Sequence, residues 1–285
     1  MKISFTKMSG AGNDFVVVDN RSRIISDPHK FTIAVCNRRL GIGADGVLLV
    51  ETSTVADFTM RYYNADGTDA GMCGNGGRCI AKFAFDNGIV TNEKFKFDAL
   101  GYIYEVSRIN STLFELKMKN PADYRPNQEI KLEKRTISGN YLNTGTDHSV
   151  IFLEDNPGIG ELDSADVFNL GRSIRYDKTY QPKGTNVNFV SKIDSNSISI
   201  RTYERGVEDE TLACGTGSVA SALLSSMKFQ MKSPVKVKVL SGAILEISFE
   251  KKADDTFRNV ILKGPAENVF NGTIDVKNSF DIAYE

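Results

Sequence analysis

Apolar and polar residues alternate with period two through most of this chain, the signature of strands that are buried on one face. Such runs predict strands at 2–7, 15–19, 46–50, 57–63, 93–98, 102–107 and 113–118. They recur at 148–154, 187–191, 197–203, 235–240, 243–249 and 258–263. Four stretches change to helical spacing. Asp27-Pro28 reads as an N-cap with proline at the first helical position, and Gly41 as the end of that helix. Gly76 to Asn87 predicts a second helix with Gly88 as its C-cap. Two more are predicted near 163–175 and 216–229. Proline and polar residues at Asn120-Pro121-Ala122-Asp123 interrupt the strands and mark a boundary, and the strand-like run Gly272 to Tyr284 is expected to return to the first half.

This order of elements repeats, and so does a motif. MRYYNADGTDAGMCGNGGRCIAKFAF in the first half is echoed by IRTYERGVEDETLACGTGSVASALLS in the second. Each has an Arg (Arg61, Arg201), a Tyr (Tyr63, Tyr203), an acidic Gly-bearing loop, and then Cys-Gly-x-Gly opening an apolar helix. Tyr63 to Cys73 is 73 − 63 = 10 positions, Tyr203 to Cys214 is 214 − 203 = 11, and the cysteines are 214 − 73 = 141 apart. A further echo pairs Gly12-Asn13-Asp14-Phe15 with Gly145-Thr146-Asp147-His148, each leading into an apolar strand. The duplication predicts two lobes that each deliver one thiol.

A Cys just before a glycine-rich helix start sits in a distinctive electrostatic setting. The helix N-terminus carries partial positive charge and unpaired N–H groups, which favour a thiolate and also hold a carboxylate. Gly74 and Gly76, like Gly215 and Gly217, let the backbone approach a ligand closely. If both helix starts hold one carboxylate, the neighbouring carbon loses its proton to one thiolate, and the opposite thiol returns a proton from the other face. That reaction inverts a stereocentre and in principle requires no cofactor. Cys36 and Cys79 fall on apolar helical stretches and are assigned to the core. A metal site is disfavoured because Cys73 and Cys79 lack the usual ligand spacing. The GxG clusters complete neither a dinucleotide fingerprint nor a P-loop. His148 stands at a loop–strand junction where it is either functional or a core residue. Glu204-Arg205 is either a surface ion pair or a grip on a zwitterion.

Composition adds bounds. At 285 residues the chain has room for about two domains. Its 35 basic and 36 acidic residues leave a charge of -1, which gives no sign of a nucleic-acid or membrane partner. No apolar run is long enough to span a bilayer, the N-terminal residues do not read as a signal peptide, and four cysteines do not form a secreted disulfide scaffold. The expected location is therefore the cytoplasm, where thiols stay reduced.

With these residues in view, the chain resembles the diaminopimelate epimerase family. The blocks that carry the resemblance are KMSGAGNDFVVVDN, GIGADGVLLVE, MRYYNADGTDAGMCGNGGRC, GTNVNFV and YERGVEDETLACGTGS. It implies an α+β fold of two similar lobes from an internal duplication, each a mainly antiparallel, β-barrel-like sheet around a central helix, with the active site in the cleft between them. The lobes are expected at 1–119 plus about 268–285, carrying Cys73, and at 120–267, carrying Cys214. The implied activity is interconversion of LL- and meso-2,6-diaminopimelate without pyridoxal phosphate, on the route to lysine and peptidoglycan. By the same resemblance Cys73 and Cys214 are the acid–base pair, and His148 and Glu204 support catalysis. Gly74, Asn75, Gly215 and Thr216 clamp the reacting carboxylate, and Asn13, Asn64, Asn186, Glu204 and Arg205 bind the rest of the substrate. A homodimer is usual for the family.

The chain departs from the family at three positions. Thr146-Asp147 stands where Asn-Pro or Ser-Pro is common, so a substrate-binding role passes to Thr146, and Gly46 stands where some members carry Gln. A racemase of another amino acid, such as histidine or proline, is the alternative. Asn75 argues against proline racemase, and the thiol pair against a phenazine-type isomerase. A redox switch and a non-catalytic amino-acid-binding protein are the alternatives from other classes.

Overall fold

The computed structural model describes residues 2–275, so the part of the predicted terminal strand beyond residue 275 lies outside the described residues. The chain divides into two compact units, one holding everything up to Leu116 together with the segment from Gly264 onward, the other Lys117–Lys263.

The first unit contains strands β1 (Lys2–Gly10), β2 (Asn13–Asp19), β3 (Gly46–Glu51), β4 (Phe58–Asn64), β5 (Lys94–Ala99), β6 (Tyr102–Arg108) and β7 (Leu113–Lys117). Its helices are α1 (Pro28–Cys36) and α2 (Gly74–Asp86). The second contains β8 (Ala122–Lys131), β9 (Thr136–Asn143), β10 (Asp147–Phe152), β11 (Asn186–Lys192), β12 (Ser197–Glu204), β13 (Asp209–Thr211), β14 (Val235–Lys238) and β15 (Ile244–Lys251). It also contains β16 (Phe257–Pro265) and helices α3 (Val167–Arg175) and α4 (Gly215–Lys228). The remaining strand, β17 (Glu267–Asp275), returns to the first unit and pairs with β1.

The duplication is written into the hydrogen bonding. In the first unit the strands run β17-β1-β2-β3-β4-β5-β6-β7, antiparallel except for the parallel pairs β2/β3 and β4/β5. In the second they run β8-β9-β10-β11-β12-β14-β15-β16, again antiparallel except at β10/β11 and β12/β14. A helix crosses over at each parallel pair, as parallel strands require. Even the bridge Tyr63 to Asp69 has its counterpart in Tyr203 to Glu210 of the short strand β13.

Each unit therefore has an outer and an inner helix. Phe31 and Val35 of α1 pack with Val16, Val18, Val47 and Leu49 on one sheet face. The opposite face closes around α2, where Leu48 and Met60 lie against Gly76 and Phe97 and Leu116 against Gly77. A strand covered on both faces is buried throughout, which is why β3 is apolar without interruption from Val47 to Val50. In the second unit Val167 and Ile174 of α3 pack with Ile151, Val187, Phe189 and Tyr203, while α4 lies against β9–β12, β14 and β15.

The elements differ in detail from the sequence expectation. α1 stops at Cys36, because the chain turns through residues 37–41 and the Gly41 N–H bonds Asn37 O. α2 begins two residues before Gly76, capped by Cys73. The predicted helix near 163–175 is a short 3-10 turn followed by α3, which Asp166 caps by accepting from the Asn169 N–H. β8 begins within the segment read as a strand-breaking boundary, at Ala122 just after Pro121. It tolerates Pro126 because it is almost wholly exposed and irregularly paired, with Asp123 and Asn127 at positive φ.

Candidate active site

Cys73 is the N-cap of α2, with extended backbone (φ -115°, ψ 126°), and its Sγ accepts from the Gly76 N–H at 3.5 Å. The preceding loop is held by Arg61, which donates to Asp69 at 2.8 Å and to the Tyr63 hydroxyl at 3.2 Å. On the other side Cys73 Sγ lies 3.6 Å from Asn13 Oδ1. Asp45 fixes which end of the Asn13 amide faces the sulfur. One of its carboxylate oxygens accepts from the Asp14 N–H at 3.1 Å and from Asn13 Nδ2 at 2.5 Å, leaving Oδ1 toward Cys73. The Asp14/Asp45 pair is anchored by Arg38, which donates to both, and by the buried Lys7, 2.6 Å from Asp14. Burial raises the Asp14 pKa, but Arg38 and Lys7 outweigh it and hold the carboxyl at about 2. Burial and the neighbouring Asp14 charge push Asp45 up.

Cys214 caps α4 in nearly the same backbone conformation (φ -118°, ψ 113°), and is buried. Its approach loop is held by the equivalent ion pair, Arg201 to Glu210, with two contacts of 2.7 Å. The duplicated Arg and acidic residues thus brace the loop before each thiol, which explains their place in the repeat. The sulfur is 3.6 Å from Thr216 Oγ1, which is 3.1 Å from Thr146 Oγ1, which in turn is 2.9 Å from His148 Nε2. His148 is fully buried, and burial drops its pKa to about 3, so it is the neutral imidazole at physiological pH.

The other predicted residues fall into three groups. Gly74-Asn75 and Gly215-Thr216 form the first turns of α2 and α4, where a helix leaves N–H groups unsatisfied by its own carbonyls. Glu204 ends β12 and accepts from the Thr211 hydroxyl at 2.9 Å. Arg205 pairs with Asp147 at 2.8 Å, and also donates to the Gly184 carbonyl. Asn186 links these parts, donating to Asp147 O at 2.8 Å and accepting from the Arg205 N–H at 2.9 Å. Its amide retains one lone pair and one hydrogen for a ligand. Asn64 ends β4 and donates to Thr68 Oγ1 at 3.2 Å. Gly46 has a backbone reason: a Cβ there would lie 2.4 Å from Tyr63 O.

Three contributors escape a reading of the residues one motif at a time. Asp147, seen first as a lost proline, accepts from Arg205, from the Tyr141 hydroxyl at 2.5 Å and from Asn143 at 2.9 Å. Burial raises its pKa, but these partners outweigh burial and lower it. Arg78, wholly buried beneath the start of α2, donates to Asn75 Oδ1 at 3.0 Å, Gly74 O at 3.2 Å and Pro265 O at 3.2 Å. Burial lowers its pKa to about 10, which leaves a cation under the first turn of α2. Asn188 contacts His148, and its signal was an Asn two positions after Asn186 in an otherwise apolar buried strand. By contrast, burial pushes the thiols of Cys36 and Cys79 up to about 12, as suits core residues.

Each unit thus has a cysteine at the N-cap of a helix with a glycine-rich first turn, and each thiol has a polar neighbour, Asn13 or Thr216. The fold is shared with solved proteins of low sequence identity. It matches a phenazine biosynthesis protein of the PhzF family from Bacillus anthracis with a TM-score of 0.72 at 13% identity, over 97% of this chain and 100% of that one. It matches a hydroxyproline epimerase from Agrobacterium vitis with a TM-score of 0.71 at 12% identity, over 96% and 92%. Sequence narrows the class. The pattern of the diaminopimelate epimerase family matches residues 5–114 and 140–269, and the diaminopimelate epimerase of Chlorobaculum tepidum is 44% identical over 269 residues, 94% of this chain and 99% of that protein. The chain belongs to the diaminopimelate epimerase family, and is an isomerase of the epimerase class.

Proposed function

We propose that this protein interconverts LL- and meso-2,6-diaminopimelate by two-base proton transfer at Cα, with Cys73 and Cys214 as the exchanging acid and base. The observation that carries the reading is the repeated one: each cysteine caps a helix whose first turn is glycine-rich, within a chain of this family. The first-turn N–H groups of Gly74-Asn75 and Gly215-Thr216 are suited to hold the α-carboxylate and the negative charge that grows on it as the α-proton leaves. One thiolate takes that proton and the opposite thiol donates its own to the other face. No proton is gained or lost, and the thiols end with their protonation exchanged.

Asn13, Asn64, Asn186, Glu204 and Arg205 are proposed to bind the distal amino-acid end, with Thr146 as a further contact. His148 and Glu204 support the thiols. A reducing cytoplasm suits a chemistry that needs both thiols free, and a homodimer is the assembly the family resemblance implies. The test is incubation of the reduced protein with LL-diaminopimelate in D₂O, with L-histidine and L-proline in parallel. α-Deuterium and the meso isomer are expected from diaminopimelate alone. A folded protein giving neither product would refute the assignment, and inversion of histidine or proline in its place would make it a racemase of that amino acid.

A further inference from the structure

The turn that carries Glu204 and Arg205 is one residue longer than its counterpart in the first repeat. Tyr63 pairs with Asp69, 69 − 63 = 6 positions on, whereas Tyr203 pairs with Glu210, 210 − 203 = 7 positions on. The shorter turn reverses through one residue of positive φ, Gly67 (φ 84°), and the longer through two, Gly206 (φ 94°) and Glu208 (φ 58°). Glycine adopts that conformation freely, but a glutamate is crowded there by its own Cβ and keeps it only where the surroundings hold it.

What holds Glu208 is its carboxylate. Oε1 accepts from Arg175 Nε at 3.2 Å, from Arg175 Nη2 at 3.1 Å and from the Gly206 N–H at 3.0 Å. Oε2 accepts from the hydroxyls of Tyr176 at 3.0 Å and Tyr203 at 3.3 Å. The Glu208 N–H closes the turn by donating to Glu204 O at 2.8 Å. Burial raises the Glu208 pKa, but the Gly206 N–H, Tyr176 and Arg175 outweigh it and lower the value, so the group is a carboxylate at neutral pH. Two of these donors belong to the outer helix, Arg175 as the last residue of α3 and Tyr176 as its C-cap. That helix is seated directly on β12: a Cβ on Gly171 would lie 2.4 Å from Tyr203 Cβ, so only glycine allows the approach. The first repeat also holds its turn from the outer helix, but by the backbone, where Nδ1 of His29 in α1 donates to Gly67 O at 2.7 Å.

We propose that Glu208 is a positioning residue for substrate binding, whose carboxylate ties the turn bearing Glu204 and Arg205 to the end of α3 and fixes it in the form that meets the distal amino-acid end of the substrate. Asp147 and Asn186 already hold Arg205 from one side, through its guanidinium and its backbone N–H. Glu208 holds the turn from the other side. The extra residue would otherwise loosen the backbone where two charged side chains are presented together, and ordering that backbone before the substrate arrives lowers the cost of binding. The inference deepens the proposed function and rests on its reading of Glu204 and Arg205 as substrate contacts.

The test compares two variants of the reduced full-length protein. Glu208→Gly removes the carboxylate while suiting the positive φ, and Glu208→Gln keeps the length and loses the charge. Steady-state kinetics with LL-diaminopimelate are expected to show KM raised about tenfold in Glu208→Gly and about threefold in Glu208→Gln, with kcat within about twofold of wild type. Added to Arg205→Ala, which raises KM by itself, Glu208→Gly is expected to contribute less than about threefold more, because a residue that acts through another loses its effect when the other is gone. Hydrogen exchange of the peptide covering residues 204–211 is expected to be faster in Glu208→Gly than in wild type. A folded Glu208→Gly variant that loses stability but keeps the wild-type KM would reduce Glu208 to a structural brace and overturn the inference, as would a tenfold effect that persists in full beside Arg205→Ala. A wild type that forms no meso isomer, or an Arg205→Ala variant with the wild-type KM, would refute the functional reading itself and the inference with it.

Discussion

Gly76 and Gly217 occupy the same place in the two repeats, three residues beyond each cysteine, yet an added methyl group should have opposite consequences. At Gly217 the new Cβ would sit 2.2 Å from Asn188 Oδ1 and 3.2 Å from its Cγ. Alanine favours a helix over glycine by about 1 kcal/mol, which sets the gain. Against it stands the Asn188 amide, which must move out of contact with Thr202, His148 and Ser149. Each buried group left unsatisfied costs about 1–3 kcal/mol, and overpacking about 1–3 kcal/mol more. Gly217→Ala should therefore destabilise the second unit by about 2–4 kcal/mol. At Gly76 the nearest atoms are Leu48 Cδ2 at 3.2 Å, a side-chain end that gives way by a few tenths of an ångström, and Cys73 Cβ and Met60 Cε, both at 3.5 Å and so in ordinary van der Waals contact. Gly76→Ala should stay within about 1 kcal/mol of wild type. Urea unfolding followed by far-UV circular dichroism measures both, since the chain has no tryptophan. Equal losses at the two positions, or wild-type stability for Gly217→Ala, would refute the argument.

Two further outcomes follow from the charges at the site. The unfolded chain binds a proton on His148 near pH 6.5, whereas burial holds the folded value at about 3. Its contribution to stability is thus complete above pH 6.5 and is lost as the pH falls toward 3, with a limiting slope of about 1.4 kcal/mol per pH unit. His148→Gln should flatten the pH dependence of urea stability between pH 6 and pH 4, and an unchanged slope would show that His148 is not held neutral. Asp147→Asn should loosen Arg205 and raise KM for diaminopimelate about fivefold with little change in kcat, as expected for a partly exposed pair worth about 1 kcal/mol. A fall in kcat at constant KM, read from steady-state kinetics, would place Asp147 in the chemical step instead.

What the sequence made legible was the part encoded locally and twice. The Cys-Gly-x-Gly blocks, the acidic loops and the helix starts are short motifs, and their repetition reveals the duplicated order of elements. The least legible strands were β8 and β9. β8 is exposed along nearly all its length, so no apolar alternation marks it, and Pro126 reads as a breaker unless the strand is known to be irregularly paired. The network behind Cys214 was also obscure, because Thr146 in the turn before β10, His148 in β10, Asn188 in β11 and Thr216 in α4 are far apart in sequence and meet only through the parallel pairing of β10 with β11 and the packing of α4 against both. Nothing local in the sequence marks Arg78; only the packing of α2 inside its sheet shows it to be a buried cation. Asp147 had the opposite history. As a substitution it looked like a loss, whereas its alignment with Asp14 places a carboxylate ion-paired to an arginine in both repeats.

The central claim is that inversion needs both thiols. Cys73→Ala and Cys214→Ala, each folded by circular dichroism, should be assayed with LL-diaminopimelate in D₂O for α-deuterium and for the meso isomer. The two-base account predicts that neither variant forms the meso isomer at a measurable rate. Full epimerisation by either single variant would contradict it.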